Sequence, residues 1–217
     1  MPTPFKSVIF DLDGTLVDSL QDISILMNKV LNDFGFSSHP AESYKTFVGN
    51  GTDILVERVL PKEGQHLKER ILQTYLPLLA KHGSDFSSLY PGIPDLLDWL
   101  SERKIPLAIL SNKPQSSVNQ VAQKMLGKWK FSMALGDRPG LARKPKPDGA
   151  LSIANLQNIP PSAFVFLGDS NVDMLTSQNA GMFSVGVSWG FRTREELLKS
   201  GAALVLEKPM DLIKIWE

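Results

Sequence analysis

Short apolar runs alternate with amphipathic stretches along most of this chain. Val8-Ile9-Phe10 reads as a buried strand near the start. From residue 93 the alternation becomes regular. Residues 93–103, 115–125, 148–156, 172–180 and 195–200 carry helical spacing, and 107–110, 131–135, 164–167, 183–187 and 204–206 are short apolar runs. A last helical stretch covers 211–216. Strands that alternate with helices predict a parallel sheet with helices on both faces. The N-terminal strand is expected to join that sheet.

The pattern between these parts is different. Residues 21–34 place Ile23, Leu26, Met27, Val30, Leu31 and Phe34 on one helical face, with Ser19 or Ser24 placed to cap the segment. Residues 52–60 and 66–82 are also helical in period, and Pro77 predicts a kink or break in the latter. No strand pattern stands out between Leu20 and His82, so an all-helical insert is expected there. The chain returns through a punctuated segment from Gly83-Ser84-Asp85 to Tyr90-Pro91-Gly92.

Composition narrows the possible functions. The 217 residues allow one full domain and a small second one. Lys and Arg total 23, as do Asp and Glu, and a formal net charge of zero speaks against a nucleic-acid binder, which needs a basic face. There is no cysteine, which excludes a disulfide scaffold, a thiolate zinc site and a cysteine nucleophile. Met1-Pro2-Thr3-Pro4-Phe5-Lys6 lacks the apolar core of a signal peptide, and no run approaches the roughly 18 apolar residues of a membrane span. The expectation is a soluble cytoplasmic protein without a membrane partner. Oligomeric state has no signal in the sequence.

Ligands of open parallel sheets sit at the carboxyl ends of the strands, and the residues found there are chemically alike. Asp11 and Asp13 follow the first strand. Ser111, Asn112 and Lys113 follow 107–110, Arg143-Lys144-Pro145-Lys146-Pro147 comes after the loop Gly136 to Gly140, and Gly168-Asp169-Ser170-Asn171-Val172-Asp173 follows 164–167. Two carboxylates at one strand end are costly unless a cation joins them. As a set these groups describe a Mg²⁺-dependent phosphoryl-transfer site. Asp11 is the candidate nucleophile. Asp13 is the candidate acid that protonates the leaving oxygen and later the base that activates water. Asp11, Asp13 and Asp169 are candidate metal ligands, Asp13 through its side chain or its backbone carbonyl, with Asp173 acting through water. Lys144 would balance phosphate charge, while Ser111 and the Asn112 backbone N–H would donate to a phosphate oxygen.

The four clusters resemble, in order, the four motifs of the haloacid dehalogenase superfamily: Asp11-Leu12-Asp13-Gly14-Thr15, Leu110-Ser111-Asn112-Lys113, Lys144-Pro145-Lys146-Pro147 and Gly168 to Asp173. Ser111 stands where many relatives carry threonine, which keeps the hydroxyl. The helical block and Phe47-Val48-Gly49-Asn50-Gly51 are similar to the small cap of the phosphoglycolate phosphatase and β-phosphoglucomutase branch, as is Val187-Ser188-Trp189-Gly190-Phe191 followed by Glu195-Glu196-Leu197. The resemblance implies a three-layer Rossmann-like core, residues 1–16 and 89–217, with an all-helical cap domain over 17–88. It implies phosphomonoester hydrolysis through an aspartyl-phosphate, with Mg²⁺ as cofactor and phosphoglycolate or a similar small phosphorylated metabolite as substrate. A pyrophosphatase, a sugar-phosphate phosphatase or a phosphoglucomutase of the same superfamily would keep the site and change the cap. Asp13 separates ester chemistry from dehalogenation, whose enzymes lack a carboxylate there.

Other residues have plainer readings. Gly49, Asn50 and Gly51 suit a turn between helices equally with a substrate-facing loop, and Gly49 and Asn50 are substrate-binding candidates. Arg58 reads as an exposed helix arginine. Lys113, Arg143 and Lys146 are assigned to solvent, His39, His66 and His82 to the surface, and Trp99, Trp129, Trp189 and Trp216 to packing. Gly168-Asp169-Ser170 also opens a family of serine esterases, but those need a late histidine base and none follows His82. Receiver domains share a phospho-accepting aspartate, a hydroxyl and a lysine, but lack so large a helical insert and order the groups differently.

Overall fold

The computed structural model describes residues 5–216. In chain order its elements are β1 (Ser7–Phe10), β2 (Val17–Asp18), α1 (Leu20–Asp33), α2 (Tyr44–Phe47), α3 (Thr52–Val59), α4 (Lys68–His82), β3 (Ser88–Leu89), α5 (Ile93–Glu102), β4 (Leu107–Pro114), α6 (Gln115–Met125), β5 (Phe131–Asp137), α7 (Asp148–Gln157), β6 (Phe164–Gly168), α8 (Asn171–Asn179), β7 (Phe183–Val187), α9 (Arg194–Lys199) and β8 (Leu204–Leu206). Six strands form one sheet in the order β5-β4-β1-β6-β7-β8, and every pairing in it is parallel. The strand order reverses at β1, where open α/β sheets bind ligands.

Burial on both faces explains why the strands are continuous apolar runs rather than alternating ones. Val8, Phe10, Leu107, Ile109, Val165 and Leu167 point into one cluster with the apolar faces of α5 and α6. Ile9, Ala108, Leu110, Phe164 and Phe166 point into the opposite one, with Ala150 and Ile153 of α7. The helices between β2 and β3 pack around a cluster of their own, built from Ile23, Met27, Val30, Tyr44, Val56, Ile71 and Tyr75 among others. All four tryptophans pack against the first of the sheet clusters.

The structure departs from the sequence expectations in four places. α4 runs through Pro77 unbroken. Pro77 and Gln73 both lie on its exposed side, so water can take the carbonyl that the proline leaves unpaired. β4 continues four residues past its apolar run, through Ser111-Asn112-Lys113 to Pro114, with a register shift against β5. The helical stretch at 211–216 is a 3₁₀ helix over Pro209–Ile215. β2 and β3 form a two-stranded antiparallel ribbon, pairing Val17 with Leu89 and Asp18 with Ser88. Strands of two residues are too short to show a period. Among the described residues no helix is long and apolar enough to cross a membrane.

Candidate active site

Asp11 leaves β1 but stays in line with the sheet, because its N–H donates to the Leu167 carbonyl of β6 at 2.8 Å. The turn after it is tight: the N–H groups of Leu16 and Val17 both reach the Leu12 carbonyl at 3.0 Å. Gly14 takes φ +86° in this turn, and a Cβ there would stand 2.3 Å from Asp169 Oδ2. Asp169 follows β6, and its Oδ2 accepts from the Phe191 N–H at 2.8 Å. Asp173 is fixed by a capping box at the start of α8, accepting from the Ser170 N–H at 3.1 Å and hydroxyl at 2.6 Å. A side chain at Gly168 would collide with it, since a Cβ there would lie 2.2 Å from Asp173 Cβ.

Lys144 joins these parts. Its Nζ lies 2.7 Å from Asp11 Oδ1 and 2.6 Å from Asp173 Oδ1, and only 5% of the residue is exposed. Asn112 holds the lysine backbone from both sides: the Lys144 N–H donates to Asn112 Oδ1 at 2.9 Å, and Asn112 Nδ2 donates to the Lys144 carbonyl at 3.0 Å. The same Nδ2 lies 3.0 Å from the Gly49 carbonyl, so this side chain ties β4 to the helical block.

Asp11, Asp169 and Asp173 are all buried, with one carboxylate oxygen from each inside a 4.8 Å group. One ammonium cannot neutralise three carboxylates. Burial, with Asp173 and Asp13 nearby, pushes the Asp11 carboxyl up to about 7 despite the opposing pull of Lys144. Burial likewise raises Asp169 well above the carboxylate range, with Asp11 and Asp173 adding to the effect. Burial alone would lower Lys144, but Asp11 and Asp173 outweigh it and hold the ammonium more tightly than usual. A compact set of oxygen donors with excess negative charge fits a hard divalent cation.

Asp13 takes a different partner. Its carboxylate receives Lys113 Nζ at 2.8 and 3.1 Å and the Ser19 hydroxyl at 2.6 Å. Ser19 therefore stands at the start of α1 with its hydroxyl committed to Asp13 instead of the helix. The Ser111 hydroxyl oxygen accepts from the Lys113 N–H at 3.2 Å, which leaves its own proton for a ligand.

A cavity, partly open to solvent, lies between these groups and the helical block. Asp11, Asp13, Ser111, Asn112, Lys144 and Asp169 line one side of it, and Ile23, Val48, Gly49, Leu55, Tyr75 and Leu79 line the other. Asp173 lies behind Lys144. Asn50 is not brought to the cavity wall; its Oδ1 accepts from Arg58 Nη2 at 2.9 Å.

Several residues read differently in the structure than in the sequence. Lys113 is buried against Asp13 and not in solvent. Because β4 extends past Leu110, Lys113 shares a strand face with Ser111, a spacing of two that the sequence does carry. Arg143 is not left to solvent either: it bridges Asp53 of α3 and Asp137 of β5, the latter at 2.6 Å. Lys146 is exposed as expected. Arg58 is exposed but holds the turn, donating to the Phe47 carbonyl at 3.0 Å. His39 packs edge-on to Tyr44 and Phe47, its Nε2 2.8 Å from the Val59 carbonyl. Arg192, which no sequence signal singled out, reaches from the sheet side to the carbonyls of Lys45 and Val48.

Residues 8–187 match the family described as Haloacid dehalogenase-like hydrolase. A phosphoglycolate phosphatase of Mannheimia succiniciproducens is 33% identical over 99% of this chain and 100% of that protein. One from Pseudomonas syringae pv. tomato is 32% identical over 96% of this chain and 78% of that protein. A crystal structure from Lactobacillus delbrueckii subsp. bulgaricus superposes with a TM-score of 0.89 at 28% identity, covering 100% of this chain and 99% of that one. With its parallel sheet, its buried carboxylate cluster and these relatives, the chain belongs to the haloacid dehalogenase-like hydrolases, and within them it is a phosphatase.

Proposed function

We propose that this chain hydrolyses phosphomonoesters in the cytoplasm, with Mg²⁺ and through an aspartyl-phosphate on Asp11, and that phosphoglycolate or a similar small phosphorylated metabolite is its substrate. The observation that carries this reading is the ion-paired group of Asp11, Asp173 and Lys144 beside Asp169, buried at the end of the central strand. Asp11, Asp169 and Asp173 would hold Mg²⁺, Asp173 through water, with Asp13 contributing through its backbone carbonyl because its side chain faces Lys113. When bound, the ion supplies positive charge for the phosphate oxygens.

The remaining work falls to side chains of this chain. An Asp11 oxygen attacks phosphorus while the bond to the ester oxygen breaks. Asp13 delivers its proton to that leaving oxygen. A water then attacks phosphorus and gives its proton to Asp13, the Asp11–phosphorus bond breaks, and phosphate leaves. The Lys144 ammonium and the Ser111 hydroxyl hold the phosphate oxygens. Residues 1–16 and 89–217 form the catalytic body and 17–88 a cap that closes over the substrate and excludes water. Gly49 of the cap would meet the substrate with its backbone.

A monoester suits this cavity better than pyrophosphate. Lys113, Lys144 and Arg192, the cations that line it, are all engaged within the protein, so none is free for a second phosphoryl group. The test is phosphate release by the purified protein with Mg²⁺ from phosphoglycolate, pyrophosphate and a set of sugar phosphates. Release from phosphoglycolate is expected, and inactivity toward every monoester would overturn the reading.

A further inference from the structure

Tyr75 on α4 is fully buried in the cluster of the helical block, yet it lines the cavity opposite the carboxylates. Its hydroxyl has no hydrogen-bond partner among the described residues. An unpaired buried hydroxyl is costly, and phenylalanine would fill the same space without that cost. Burial raises the phenol above its ordinary range, and Asp13 adds to the effect, so the group remains a donor at neutral pH. The first turn of α3 meets the same space through Gly51 and Thr52, and no side chain caps it. The N–H groups of an uncapped first turn favour an anionic oxygen. Between these polar points the wall is apolar: Ile23, Val48, Leu55 and Leu79.

We propose that Tyr75 is a specificity-determining residue, whose hydroxyl donates to a carboxylate oxygen on the leaving group while the first turn of α3 receives the same charge. The preferred substrates are then small phosphate esters of hydroxy acids. This rests on the phosphomonoesterase reading above.

The experiment compares kcat/KM for phosphoglycolate with that for ethyl phosphate, which keeps the two-carbon chain and lacks the carboxylate. Wild-type protein is expected to prefer phosphoglycolate by about tenfold or more, the range for a hydrogen bond to a charged acceptor. In Tyr75→Phe the ratio is expected to fall at least fivefold, with the melting temperature held or raised because no partner loses a bond. A smaller fall in the ratio, a wild-type enzyme without the preference, or a destabilised variant would each overturn the assignment. If the wild-type protein cleaves neither ester but releases phosphate from a sugar phosphate, this assignment is overturned while the phosphomonoesterase reading stands; inactivity toward every monoester overturns both.

Discussion

The two walls of the cavity are built on opposite plans. On the sheet side, Asp11, Asp169 and Lys144 are buried, Asp13 is half-buried, and each is fixed by a bonded neighbour. On the helical side the wall is mostly aliphatic, and the buried Tyr75 hydroxyl has no partner among the described residues. A wall whose groups are each held in place by a bonded neighbour can be reused for one chemical step on many molecules. A wall with few polar groups discriminates by shape and by where those few stand. On the proposed function, chemistry and choice of substrate reside in separate parts of this molecule, which packs them as separate hydrophobic units.

That contrast can be broken most forcefully at Asp11. Asp11→Asn is expected to lower phosphate release by at least about 10⁴-fold and to abolish covalent capture of phosphate. Near-normal turnover would remove Asp11 from the nucleophile's role. Asp13→Asn should lower kcat by about 10²- to 10⁴-fold with KM little changed, as loss of an acid–base group does. A rise in KM alone would show that Asp13 only binds.

The charge imbalance on the sheet side has a thermal signature. In the cation-free protein the folded Asp11 titrates at about 7 against an ordinary 3.8, so the folded state holds the proton more tightly than the unfolded one. Its contribution to stability is present below about 3.8 and is lost as pH rises through about 7. Mg²⁺ competes with those protons. The gap between melting temperatures in Mg²⁺ and in chelator should widen from about pH 5 to about pH 8, and chelator should abolish phosphate release. A gap independent of pH would contradict the ion's place among these carboxylates.

The smallest effect belongs to the seam between the walls. Arg143 links Asp53 of the helical block to Asp137 of the sheet, with its side chain 36% exposed. Half-exposed pairs contribute at most about 1 kcal/mol. Asp53→Asn should thus raise KM a few-fold and leave kcat nearly unchanged. A large fall in kcat would mean that the seam governs chemistry as well as closure.

Much of the sheet side was legible because its signals are local. A buried parallel strand is a run of apolar residues, and its end is marked by the first carboxylate or hydroxyl, as at Phe10-Asp11 and Leu167-Gly168-Asp169. Where polar residues remain in the strand the mark misleads. β4 looks finished at Leu110, and that misplacement sent Lys113 to solvent when it belongs to Asp13. Pro77 misled for the opposite reason, since a strong local signal was neutralised by exposure. The seam residues Arg143 and Arg192 were illegible, because their partners in the helical block lie 90, 144 and 147 positions away and no period connects them. Tyr75 follows the helical period of α4 as an ordinary core residue, and only its unpaired oxygen sets it apart.

The ribbon of β2 and β3 has a consequence for the chain's history. Val17 and Leu89 are paired neighbours, so the helices leave and re-enter the sheet at almost one point. Whatever is spliced between those two residues need only present ends a strand spacing apart. A short turn, a larger helical bundle or the block of another relative would satisfy the same junction. If the proposed function holds, the sheet can keep its reaction while trading the segment that selects the molecule, and Val17 and Leu89 are the natural cut for such a graft.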